Sequence, residues 1–499
     1  MAEGPLEKLR VFLRELPPAA RALLRAELER AAAAGDEVPA GDFILAELRR
    51  HDVEAEPASS PEPAPAAIPA PSIVPAPTAA QETGRIESAS RMFFAPLEPF
   101  LVDDVPDRVH RGRIARAALD PTWQWLCRDL MPKEAKTYSD EMARSLLTND
   151  RPMSERMARA FQDQAVQRMR DALAATQDDT KTRQRLSAQL GIANALEHLR
   201  EIVGILRARD ALGVFASRLP AQIRNLADEQ LDNVRALLDS PIGGHPDVFV
   251  YALVLVMGRL GSPWQLVRLA VKAAESDVAA KILGTPYAVA VSIILGEMDR
   301  ILNLLREDIK RGRFDSASEL LKDLYDAARL LRTELDLSGD SPWARQLTAI
   351  RSEISNLVRA EIETVPGRVR RLLRQRKASE MRAGAVLDRT EVQETEALIE
   401  FVSACRNYAS ELAINEVTLR VHSEVQNYLE IGISPLLDSL RGVDDAHRPF
   451  RQSQVDAAVR FAGKVFGASY ASLLAKAADV AAKAADTAAQ EGERKAAKA

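Results

Sequence analysis

Seven cations, Arg368, Arg370, Arg371, Arg374, Arg376, Lys377 and Arg382, share the stretch from Pro366 to Arg382 with a single carboxylate, Glu380. Guanidinium groups at this density suit oxyanions, because each planar fork can hold a carboxylate or phosphate with two parallel hydrogen bonds. On a continuous helix residues 370, 374 and 377 share one face, and 367, 371 and 374 lie near it. Such a face suits an anionic lipid surface, an acidic protein or a nucleic-acid backbone. The stretch lacks the rings that stack on unpaired bases, which disfavours nucleic acid. A solvated end of a long helix, where cations complement the C-terminal dipole, accounts for the same residues. These seven are the candidate anionic-partner patch.

Other chemistry was sought by residue type and spacing. No phosphate loop, dinucleotide-binding glycine turn, paired-histidine zinc helix or nucleophile elbow is present. Cys127 and Cys405 lie too far apart in sequence to suggest a zinc knuckle, and the six histidines do not cluster. The reading therefore assigns no catalytic residue, no metal and no cofactor. Asp103, Asp104 and Asp107 have a spacing that can hold Mg²⁺ and diphosphate. Pro106 interrupts it, no second acidic motif answers it, and acidic residues opening a helix near Asp107 explain it as well. His198, beside Glu197 and Glu201, reads as a solvated, salt-bridged helical face. The segment Pro241-Ile242-Gly243-Gly244-His245-Pro246 could set His245 in a pocket, and reads more simply as a tight connection between buried helices.

The elements that position these residues are helices. Ala, Leu, Arg and Glu dominate, and all are good helix formers. Aromatic residues are only 5% of the chain, so the core must be aliphatic. Arg far outnumbers Lys, which with the abundant Ala reads as GC-rich codon usage in a bacterial protein. The longest apolar run, Val248 to Met257, is too short for a bilayer and suits a buried helix. The clearest architecture lies between Thr285 and Gln375. Ile294, Met298, Ile301, Leu305 and Ile309 mark one helix, and Ala317, Leu321, Leu324, Ala328, Leu331 and Leu335 the next. Trp343, Leu347, Ile350, Ile354 and Leu357 mark a third, and Leu398, Val402, Cys405, Ala409 and Leu412 a fourth. Steps of four and three give the seam of left-handed helix packing, and short connections make neighbours antiparallel. The fold class is all-α, a multi-helix antiparallel bundle with long coiled-coil-like helices, spectrin-like in architecture only.

Helix starts are read at Asp120-Pro121, Ser262-Pro263, Thr285-Pro286 and Ser341-Pro342, with a capping box at Ser316 and Glu319. Pro435 marks a kink or break. Residues 1–51 read as a small helical module and 52–85 as a Pro/Ala-rich linker. In an extended conformation of ~3 Å per residue the linker could reach on the order of 100 Å. Residues 86–284 form a helical domain, 285–474 a long-helix bundle and 475–499 an Ala/Lys-rich tail with little to bury.

The functional expectation is a non-catalytic cytoplasmic adaptor or scaffold acting through protein–protein contacts, with protein partners unnamed by the residues and a two-fold homodimer as the simplest self-association. Two cysteines fit a reducing compartment, and Met1 is followed by no basic-then-apolar leader. The competing readings are a membrane-surface or nucleic-acid-associated protein using the 368–382 patch, and a helical ligand-binding protein or enzyme with a site near His245.

Overall fold

The computed structural model describes residues 88–104, 109–148, 150–337, 340–441 and 446–496. The small module, the whole linker and Asp107 lie outside them. The fold class is all-α, as the apolar spacing requires. The chain opens with α1 (Ala89–Phe94), α2 (Leu119–Trp125), α3 (Pro132–Leu147), α4 (Arg151–Ala174), α5 (Thr180–Leu190), α6 (Ala195–Arg218), α7 (Asp228–Leu238) and α8 (Pro246–Arg259). Then come α9 (Val267–Ala274), α10 (Ala279–Leu283), α11 (Ala288–Lys310), α12 (Phe314–Glu334), α13 (Pro342–Ile362) and α14 (Val365–Leu373). The last four are α15 (Arg389–Leu412), α16 (Asn415–Arg441), α17 (Arg448–Phe466) and α18 (Ala468–Ala496). Two short strands, β1 (Leu101–Val102) and β2 (Ile114–Ala115), pair in parallel, with Leu101 opposite Ile114. No alternating pattern announces strands of this length.

The stripes expected of α11 and α12 are buried in full, from Ile294 to Ile309 and from Ala317 to Leu335. In α13 the buried position is Val358, with Leu357 only partly covered. α11 packs on α12 and α13, and α15 packs on both α12 and α13, so the four close a ring around a shared aliphatic core. Cys405 sits in that core, fully buried. The aromatic run Phe93, Phe94, Leu97, Phe100 and Leu101 is also buried, and Phe93 meets Phe161 and Trp123 at ring-centroid distances of 5.5 Å.

Several local expectations are overturned. Ser341 caps α13, its Oγ accepting from the Ala344 amide at 3.1 Å. The other three Pro-bearing starts lack a side-chain cap, because the chain enters those helices from a preceding helical turn or through a 3₁₀ turn. Ser316 and Glu319 make no capping box either. α12 begins at Phe314, just after Gly312 turns the chain at φ +70°, and both residues fall inside the helix. Pro435 does not break α16, which runs through it. Within α16 Leu419 is exposed, and Val417 and Val421 face the core. The boundary read at 474 falls inside α18, because the chain breaks earlier, at Gly467 with φ +93° between α17 and α18. Burial continues beyond Ala475, at Ala478 and Ala481. No helix is long and apolar enough to cross a membrane among the described residues.

Candidate anion-binding surface

The basic stretch is not one helix. α14 begins where Pro366 can stand in a first turn without losing a hydrogen bond, and its apolar side, Val365, Val369, Leu372 and Leu373, is buried. Helical geometry ends at Leu373, since Arg374 turns to φ −58°, ψ 129°. Residues 370, 374 and 377 therefore do not share a helical face, and the seven cations divide into two sets. Arg368, Arg370 and Arg371 lie on α14. Arg374, Arg376, Lys377 and Arg382 lie on the irregular connection that leads to α15.

Two buried side chains of α17 explain why the helix stops there. The Gln454 amide donates to the carbonyls of Leu372 and Arg374, each at 2.9 Å. Arg451 donates to the Arg376 carbonyl and, at 3.0 Å, to Gln454 Oε1. These donors satisfy C-terminal carbonyls that no residue further along a helix reaches. Downstream the connection is pinned again. The Gly384 amide donates to the Ala446 carbonyl at 2.8 Å, and the Leu387 amide to Ser453 Oγ at 3.0 Å. The Arg376 guanidinium lies over the Phe450 ring, 5.3 Å from its centroid. The connection carries a single 3₁₀ turn, Ala378–Glu380, and a segment this long with so little regular structure is uncommon in a packed body and often functional.

The electrostatics are uneven. Arg368 pairs with Glu394 at 3.3 Å, Arg370 with Glu424 at 3.3 Å, and Arg371 with Glu391. Arg374, Lys377 and Arg382 are exposed and have no ion-pair partner among the described residues. Arg451, 7% exposed, is held by neutral acceptors alone among the described residues, which adds fixed positive potential beneath the connection. Arg370, Arg371, Arg374 and Arg376 line an open pocket of about 450 Å³ together with one carboxylate, Glu380. Guanidinium forks so placed can hold a carboxylate or a phosphate. Phe450 is buried beneath Arg376, so it offers no face to a nucleic-acid base.

Sequence reasoning missed Arg451 and Gln454. Their signal was present: both fall on the core-facing stripe of α17 with Val455, Ala458 and Phe461, where a polar residue needs a buried partner.

A second concentration of charge is internal and was also missed. Asp104 pairs with Arg300 at 2.8 Å, and Arg300 with Glu297 at 2.7 Å. Arg113 reaches Glu297 at 3.3 Å. The charges of Arg113 and Arg300 outweigh the burial that would raise Glu297 and hold it near 2. Glu201 accepts the Gly112 amide at 2.7 Å and pairs with Arg111 at 3.3 Å. Burial raises Glu201 above the usual carboxylate range, against the pull of those two partners. His198 and Glu201 are thus buried, not solvated, and Arg111 and Gly112 lie against Glu201. Asp103 is tied to Arg116 at 2.7 Å, so these carboxylates serve ion pairs. Irregular chain and then β2 follow Val109, in place of the helix expected near Asp107. His245 is exposed and caps α8, its Nδ1 accepting from the Asp247 amide at 3.3 Å.

Comparison with family models, with curated proteins and with solved structures returns no match.

Proposed function

We propose that this chain is a non-catalytic helical adaptor of the bacterial cytoplasm that holds an acidic protein surface against the basic stretch 368–382, chiefly its connection after α14. The observation that supports this reading is the arrangement beneath the cations. Gln454 and Arg451, both buried, spend their hydrogen bonds on the backbone of the connection, while Arg374, Lys377 and Arg382 reach outward without carboxylate partners. Holding such a segment in one conformation lowers the ordering cost when a partner docks. An extended acidic surface suits its spread of single charges, with the open pocket receiving one carboxylate. The free thiols Cys127 and Cys405 suit a reducing compartment.

One observation favours a second reading. Val386, 63% exposed, stands on the same connection and could enter a lipid surface beside the cations. Retention on an immobilised poly-glutamate peptide and on vesicles rich in phosphatidylserine separates the two. The adaptor reading expects peptide retention that falls with salt and drops at least tenfold in Arg374→Glu/Lys377→Glu. Retention on vesicles alone, lost in Val386→Asp, would replace it with the membrane reading. Peptide retention unaffected by the double charge reversal would reject the surface altogether.

A further inference from the structure

Away from the basic connection, a second cleft of about 460 Å³ opens where α15, α16 and α17 meet. Arg406 comes from α15, Asn415, Leu419 and His422 from the start of α16, and Lys464 and Val465 from the end of α17. None of its ten lining residues is a carboxylate. Arg406 donates to His422 Nε2 at 2.9 Å, so that nitrogen is the acceptor and the imidazole is neutral. Among the described residues Arg406 has no carboxylate partner, so four of its five donors are open to the cleft or to solvent. Lys464 is shared with Glu400, at 2.7 Å, which stands outside the lining. Two apolar side chains complete the lining, the half-exposed Leu419 and the partly buried Val465.

We propose that this cleft binds a small phosphate-bearing molecule, with Arg406 gripping two phosphate oxygens, Lys464 a third, and Leu419 and Val465 covering the organic part. The pairing of a two-oxygen fork with a point charge matches a tetrahedral dianion better than a planar carboxylate. A neutral His422 keeps one ring nitrogen as a donor once Arg406 turns to the ligand.

This inference uses residues distinct from those of the basic connection, and one experiment keeps the two apart. The full chain is titrated by calorimetry with phenyl phosphate and with inorganic phosphate, at ionic strength held constant with sodium chloride. Wild type is expected to bind both, phenyl phosphate more tightly. Arg406→Gln is expected to weaken phenyl phosphate at least tenfold, while Arg374→Gln leaves it unchanged. If circular dichroism shows Arg406→Gln unfolded, Lys464→Gln takes its place with the same expected loss. Heat reproduced by sodium chloride alone, or a folded Arg406→Gln or Lys464→Gln that binds as wild type does, overturns the proposal. Loss in Arg374→Gln with retention in the cleft variants would move the phosphate to the basic connection and overturn it equally.

Discussion

Asp323 is a carboxylate that the fold disfavours when ionised. Burial, then the nearby charges of Asp326, Glu319 and Glu297, raise its pKa to about 6, against the opposing pull of Lys322. The folded value exceeds the ordinary one of 3.8, so the contribution of the protonated acid is fully present below about pH 4 and is lost as pH rises through 6. Asp323→Asn keeps the shape and removes the charge. It should raise stability at pH 7.5 by about 1–2 kcal/mol, a value discounted for partial exposure, and do nothing at pH 4. Urea midpoints at the two pH values check this, and an equal shift at both would contradict it. Glu297 has the opposite sign. Its depressed pKa means that it stabilises above about pH 4.5 and loses that contribution as acid protonates it.

At the scale of elements, the connection after α14 depends on donors from α17. Gln454→Ala leaves the carbonyls of Leu372 and Arg374 without a donor, at about 1–3 kcal/mol of local stability. Hydrogen exchange should quicken over residues 374–387 while α15 and α17 keep their protection. Protection unchanged across 374–387 would show that Gln454 does not hold the segment.

The same region shows what could be read from residues alone. The stripes of α11, α12 and α15 were legible because an aliphatic side chain recurring every three or four positions has one way to leave water. The end of α14 was not legible. Nothing local stops a helix in Leu373-Arg374-Gln375, and the donors that stop it lie 80 and 82 residues away from the carbonyls they meet. Likewise Glu201 reads as surface until Arg111 and Gly112 come to lie against it, the glycine from 89 positions earlier. The seven cations were visible by composition, but their division between helix and connection was not. A residue pattern records which side a segment hides, and it does not record which distant amide or guanidinium completes its hydrogen bonds.

At the scale of the whole molecule, α11, α12, α13 and α15 close a ring, and α15 also packs on α16 and α17. Helix α15 thus joins the ring to the bundle that carries both the basic connection and the phosphate cleft. The central claim is that partners dock on the connection before α15. Hydrogen exchange of the full chain, with and without saturating poly-glutamate peptide, tests it most directly. Added protection should centre on residues 370–387 and vanish in Arg374→Glu/Lys377→Glu. Protection that falls elsewhere, or that survives the charge reversal, would contradict the account.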